Sequence, residues 1–177
     1  MKLNGSALLF TIALMTLNGC SSTGIETYAK NTPTLVAETF FSGDLVASGI
    51  VKDRGGRVIR YFNATIDARW ENGVGILDER FVFNDGEQQT RVWTLEPMGK
   101  GAYSATAGDV IGDSPMKVLG NSLFMEYVLR IPYGDGTIDV NVDDRMYLVS
   151  DTVLLNESVM SKWGFTVGQI TLVIEKK

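Results

Sequence analysis

Two oppositely charged side chains lie on a predicted hairpin around Asp85-Gly86. Alternation places Glu79 on one face of the first strand, and Arg91 and Trp93 on the matching face of the second. We predict a three-residue loop, Asp85-Gly86-Glu87, which sets Glu79 opposite Trp93 and diagonal to Arg91. A carboxylate and a guanidinium would then share a face with aromatic side chains.

This arrangement predicts a polar anchor within an apolar surface. Burying either charge alone is costly, so we expect Glu79 and Arg91 to form an ion pair. A guanidinium can bind a carboxylate or phosphate through two parallel hydrogen bonds, so Arg91 is a candidate for gripping a ligand headgroup. The alternative is a structural ion pair that closes one end of the fold. Arg60, on the face of Phe62 and Ile66, is a second candidate.

An acidic cluster is another candidate site. Asp143-Asp144 lies near Asp135 and Asp139, and calcium prefers several oxygen ligands. The spacing does not match a calcium-binding loop, so a solvated turn and strand end is the favoured interpretation.

Methionine and tryptophan near the carboxyl end could line a cavity. Met146, Met160 and Trp163 are candidates because methionine adapts to irregular ligands, although alternation predicts core packing for them regardless. Asn156 and Ser158 are expected to lie around the connection between the last two strands.

Composition excludes most catalytic chemistry. The chain has no histidine, which removes the commonest general base and metal ligand. We therefore expect no metal, no cofactor and no Ser-His-Asp or Cys-His catalysis. We do not expect the protein to be an enzyme. Catalysis would require a carboxylate with a perturbed pKa in a cleft, either Glu79 or Asp144. With 16 Lys+Arg against 21 Asp+Glu, the acidic surface argues against nucleic-acid binding.

The single cysteine, Cys20, follows a short apolar run. Lys2 and the apolar residues 7–17 are typical of a signal peptide, here predicted as residues 1–19. Leu17-Asn18-Gly19-Cys20 resembles the lipobox of bacterial lipoproteins, in which the thiol receives a diacylglyceryl group and the signal is cut before the cysteine. The resemblance implies an anchor of two or three acyl chains such as palmitate, which holds a protein stably on a membrane.

The residue after the cysteine indicates the compartment. Ser21 stands where an aspartate would favour retention at the inner membrane, so by analogy with the lipoprotein class we expect the outer membrane, facing the periplasm. Residues 20–39 are predicted as a lipidated tether, flexible in its first half. Residues 34–41 are expected to form a short helix or a plug over one end of the following domain, 40–177.

From residue 43 onward the pattern indicates β-structure almost throughout. Apolar and polar residues alternate over 57–71, and glycine-containing turns separate the segments. We predict about nine or ten strands joined by short turns, with one strand over 102–110 and a break at Gly112–Pro115. The fold class is all-β, a single antiparallel up-and-down β-barrel. A β-sandwich is the alternative, and a porin-like outer-membrane barrel is a third possibility.

Several segments together resemble a known family. They are FFSGDLVASGIVKDRGG, LDERFVFNDGEQQTRVW, AGDVIG and DDRMYLVSDTVLLNESVMSKWGFTVGQITL. They are similar to an uncharacterised family of proteobacterial lipoproteins, domain of unknown function 3833, with one departure, Arg145 where tryptophan is expected. The resemblance implies a lipocalin-like barrel and a genomic setting with enzymes that modify membrane fatty acids. It supplies no catalytic residue.

These observations favour a binding protein. We expect a membrane-anchored barrel that holds a hydrophobic or amphiphilic ligand, such as a fatty acid or phospholipid, in a cavity of several hundred Å³. The candidate ligand-binding residues are Arg60, Glu79, Arg91, Trp93 and Met146. The alternative is a non-enzymatic accessory module with a filled barrel that docks an envelope protein partner.

Overall fold

The computed structural model describes residues 23–177 and contains one closed barrel. Each strand pairs antiparallel with its neighbours in the chain, and the first strand pairs with the last. The sequence prediction of an up-and-down barrel is confirmed, and the sandwich alternative is wrong because the sheet closes on itself. The ten strands are β1 (Gly43–Asp53), β2 (Val58–Glu71), β3 (Val74–Phe83), β4 (Gln88–Gly99), β5 (Ala102–Thr106), β6 (Ser114–Leu119), β7 (Ser122–Tyr133), β8 (Gly136–Ser150), β9 (Val153–Lys162) and β10 (Phe165–Lys176).

Strand β2 shows how alternation builds the core. Phe62, Ala64 and Ile66 point into the barrel and are buried, whereas the intervening Tyr61 is exposed. Successive side chains of a strand point to opposite faces, so a regular alternation of this kind fixes which face is interior. The same inner face carries the polar residues of the site described below.

A short helix plugs one end of the barrel. This helix, α1 (Ala37–Phe40), buries Phe40, and the following Phe41 is buried in the main core. The indole nitrogen of Trp70 donates to the carbonyl of Phe41 at 2.8 Å. The Lys176 ammonium donates to the carbonyls of Thr39, Phe40 and Ser42. These bonds hold the plug in place, as predicted for 34–41. At the opposite end, called the hairpin end here, β3–β4, β7–β8 and β9–β10 make their turns.

The segment before the plug packs on the outer wall. A 3₁₀ helix at Ile25–Tyr28 buries Ile25, and the Tyr28 ring contacts Phe124 at 5.7 Å between centroids. Arg145 donates to the carbonyl of Thr23 at 3.1 Å and stacks over Phe124. The prediction of a flexible tether is therefore wrong from Thr23 onward, because these contacts fix the segment. The predicted signal peptide and Cys20 lie outside the described residues.

The β3–β4 register differs from the prediction. The loop is Asn84-Asp85-Gly86, closed by a bond from the Phe83 amide to the Glu87 carbonyl at 2.9 Å. Gly86 takes φ +87°, the left-handed conformation required of the third residue in such a loop. The glycine must therefore end the loop rather than occupy its centre. Glu79 consequently pairs directly with Arg91 in the sheet.

Two further features were not predicted. Strand β5 ends at Thr106, and the predicted break at Gly112–Pro115 overlaps the start of β6, which the sequence analysis missed. The segment between them runs beside β7 and forms a single bridge, Val110 to Leu129. Within 23–177 no helix is long and apolar enough to cross a membrane.

Candidate functional site: an interior cavity with buried carboxyls

The barrel encloses a cavity of about 170 Å³. It extends from Phe41 at the plug to Phe83 and Gln89 near the hairpin end. The cavity is smaller than the several hundred Å³ predicted, because large inward side chains such as Phe62 and Trp93 occupy much of the interior. A cavity of ~150 Å³ lined by apolar side chains can still bind benzene. This space suits the slim apolar part of a ligand.

A polar cluster interrupts the apolar lining on β8 and β9. Asp144 is buried and accepts hydrogen bonds from the Asn156 amide and, at 3.1 Å, from the Ser158 hydroxyl. The Tyr127 hydroxyl donates to its other oxygen at 3.4 Å. The prediction that Asp143-Asp144 is a solvated turn and strand end is wrong for Asp144, which lies mid-strand and faces inward. Asn156 and Ser158 are likewise interior residues rather than the surroundings of a connection.

Arg91 is held by an aspartate that the sequence analysis did not identify. Its Nε donates to both carboxylate oxygens of Asp109 at 3.0 Å, and its Nη2 donates to Oδ2 at 2.6 Å. The predicted ion pair between Arg91 and Glu79 is therefore wrong, because Asp109 reaches over from the segment after β5 and takes this face of the guanidinium. Arg91 is not free to grip an anionic headgroup with the same donors.

Glu79 lines the cavity without a charge-assisted hydrogen bond from any residue in 23–177. Burial raises its pKa from the ordinary 4.5 to about 7; Arg91 offsets part of the rise, and Asp144 and Asp109 add to it. A carboxyl in this state exchanges its proton near neutral pH.

The second cavity carboxyl behaves similarly. Burial raises the pKa of Asp144 from 3.8 to about 6, although hydrogen bonds from Asn156, Ser158 and Tyr127 limit the rise. Burial and the nearby Asp144 hold the pKa of the Tyr127 hydroxyl well above its usual value, so this group stays protonated as a donor. The cluster can therefore stabilise a positive charge or accept hydrogen bonds from a ligand.

The remaining predicted site residues divide into two groups. Trp93 and Met146 line the cavity, and the Trp93 ring meets Tyr127 edge-on at 5.4 Å. Arg60 lies outside the lining, at the hairpin end, where it stacks 3.7 Å above the Phe83 ring and pairs with Asp85 and Glu87. It shapes the rim rather than the interior.

Two other predicted cavity residues do not line it. Met160 packs against a separate small cluster formed by Leu129, Val140 and Val142. Trp163 is 83% exposed at the tip of the β9–β10 hairpin, so neither core packing nor cavity lining describes it. Its place at the turn, where its φ is +51°, removes it from the alternating part of the strands.

A simple signal in the sequence marks the polar cluster. Asp144 has the same parity as the buried Val142 and Leu148, and Asn156 has the same parity as the buried Leu154. Extending the alternation through these strands would have placed both polar side chains inside. No comparable signal exists for Asp109, because it follows the end of β5 and its position depends on the fold. No group of three or more potential metal ligands occurs in the described chain.

Comparison with protein families identifies the chain. The model for a protein of unknown function, DUF3833, matches residues 14–176. The chain belongs to the DUF3833 family. No curated protein matches the sequence.

Solved structures confirm the lipocalin-like fold. The S-type phycobiliprotein lyase of Guillardia theta is similar with a TM-score of 0.59 at 10% identity, covering 81% of this chain and 94% of that one. A protein of unknown function from the DUF3598 family of Nostoc punctiforme gives a TM-score of 0.60 at 13% identity. That match covers 82% of this chain and 51% of the other, so this chain spans about half of that relative. At these identities the likeness concerns the fold.

Proposed function

We propose that this DUF3833 protein binds an amphiphilic molecule inside its barrel. One observation carries the proposal: an aromatic and aliphatic cavity in which polar side chains converge at one level. Small-molecule sites typically combine such a lining with a few placed polar groups. The apolar part of the ligand would lie towards the plug, against Leu77, Leu95 and Leu123. Its polar end would meet Glu79 and Asp144.

The proposed cellular setting follows from the N-terminal sequence. Cys20 is the proposed lipid-attachment site, and the proposed location is the outer membrane, facing the periplasm. The fixed segment from Thr23 would leave only three residues, 20–22, between the acyl chains and the barrel wall. An extended chain of that length spans roughly 10 Å. The barrel would therefore lie close to the membrane from which an amphiphile could enter.

Calorimetric titration with monolauroylglycerol, an uncharged single-chain amphiphile, tests the proposal. The full chain carrying Cys20→Ser should bind this probe at a single saturable site. Ala47→Phe should abolish binding, because Ala47 lines the cavity and the added ring fills it. Ser48→Phe places the same ring on the exposed outer face of β1 and should bind like the parent. Equal binding by the parent and Ala47→Phe would refute an interior site.

Acid–base catalysis is the second candidate function, and the two carboxyls in the cavity lining favour it. Glu79 and Asp144 meet the requirement of perturbed pKa values in a cavity. We propose binding as the primary role because most of the cavity lining is apolar and only a few polar side chains interrupt it. Mass spectrometry of a cell lipid extract before and after incubation separates the two. A product formed by the parent but not by Glu79→Gln would establish catalysis, and unchanged masses would support binding alone.

A further inference from the structure

The charges that face the cavity do not balance. Glu79 on β3 and Asp144 on β8 are carboxyls, Tyr127 on β7 is a neutral donor, and Arg91 on β4 is the sole cation among the described lining residues. The Arg91 guanidinium already forms a bidentate ion pair with the Asp109 carboxylate. The lining residues Asn156 and Ser158 on β9 carry no charge.

This imbalance leaves two carboxyls without a cation of their own. Asp144 accepts hydrogen bonds from uncharged neighbours such as Ser158. Glu79 is stabilised by the electrostatic attraction of Arg91. Both lie in surroundings where an ionised carboxylate is poorly solvated. A positive group entering the cavity would reduce the imbalance, and a negative group would add a further like charge.

We propose that the ligand presents an ammonium or a similar hydrogen-bond-donating cationic group to Glu79 and Asp144, while its alkyl chain fills the apolar part of the cavity. This inference rests on the proposed binding function and narrows it. It replaces the sequence-based expectation that Arg91 grips a carboxylate or phosphate. Fatty-acid anions are therefore disfavoured ligands.

Proton uptake gives this recognition a pH dependence. An ammonium binds best when both carboxyls are ionised, so its affinity should rise as the pH increases from 5 to 8. Arg91 keeps its charge over this range, and Tyr127 stays protonated. The two cavity carboxyls are thus the lining groups that change charge.

Three probes with chains of nearly equal length test the headgroup preference. Calorimetric titration at pH 8 would compare dodecylammonium, uncharged monolauroylglycerol and dodecanoate, each below its micelle concentration, on the full chain carrying Cys20→Ser. We expect dodecylammonium to bind roughly tenfold or more tightly than dodecanoate. Glu79→Gln and Asp144→Asn should each reduce this ratio. Asp67→Asn removes one exposed charge from the outer face of β2 and should leave the ratio unchanged.

The outcomes separate the headgroup inference from the proposed function. Binding of monolauroylglycerol with equal or stronger binding of dodecanoate than of dodecylammonium overturns the inference and leaves amphiphile binding standing. A preference for dodecylammonium that Asp67→Asn reduces as much as Glu79→Gln also overturns it, because overall charge would then explain the effect. Failure of all three probes to bind overturns both proposals.

Discussion

Replacing Glu79 with glutamine should remove a pH-dependent loss of stability. The raised pKa means that the folded protein binds this proton more tightly than the unfolded chain. The stabilisation by protonation is fully present below the ordinary pKa of 4.5 and is lost as the pH rises through about 7. One pKa unit corresponds to ~1.4 kcal/mol, so the full effect is about 3 kcal/mol.

Urea unfolding at several pH values from 4.5 to 8, followed by tryptophan fluorescence, measures this effect. The free energy of unfolding of Glu79→Gln, relative to the parent, should increase by up to about 3 kcal/mol across this range. Comparing variant with parent cancels the contributions of other groups, such as Asp139, whose pKa Arg130 lowers. Asp67→Asn is the control for the loss of one acidic side chain. A free-energy difference between Glu79→Gln and the parent that stays constant with pH would refute a raised pKa for Glu79.

Three further perturbations have defined outcomes. Gly49→Ala should destabilise the barrel by about 1–3 kcal/mol in urea unfolding, because the new Cβ would lie 2.5 Å from the Phe62 ring; unchanged stability would contradict this packing. Asp109→Asn should cost about 1–2 kcal/mol at pH 7, since it weakens a partly exposed pair with Arg91, and a stability equal to the parent's would show that the pair is unimportant. Cys20→Ser should abolish incorporation of radiolabelled palmitate, and undiminished labelling would disprove lipidation at this residue.

Local patterns in the sequence determine most of the barrel. The alternation of β2 and the glycine-containing turns suffice to predict an up-and-down topology, because period-two burial and short turns are local properties. The β3–β4 register was harder to predict, since moving the loop by one residue shifts every opposing pair by two positions. The third residue of such a loop takes the left-handed conformation that favours glycine, and Gly86 adopts it. This preference is the feature of the sequence that distinguishes the two arrangements.

The site was only partly predictable for a related reason. Glu79, Trp93 and Met146 were candidate ligand-binding residues, and all three line the cavity because each lies within an alternating strand. The partner of Arg91 was not predictable, since Asp109 lies 18 residues away in an irregular segment. The geometry of the β3–β4 hairpin alone does not predict an ion pair with a carboxylate from a segment outside that hairpin.

The closed barrel also explains how the fold tolerates two poorly solvated carboxyls in its cavity. Among residues 23–177, twenty buried apolar residues form the main core cluster, most of them nearer the plug than Glu79 is. Native proteins typically have only about 5–15 kcal/mol of net stability, so an uncompensated carboxyl worth a few kcal/mol is a substantial cost. A bound cation would offset that cost, which predicts that ligand binding stabilises the fold more at pH 8 than at pH 5.

Native mass spectrometry of the Cys20→Ser protein, purified without detergent from bacterial cells, tests whether the barrel holds an amphiphile. We expect a reproducible additional mass that solvent extraction releases as an amphiphile and that is absent from Ala47→Phe purified in parallel. Ser48→Phe should retain the additional mass. A ligand-free mass for the parent that persists after incubation with total lipid extract would contradict amphiphile binding in the cavity.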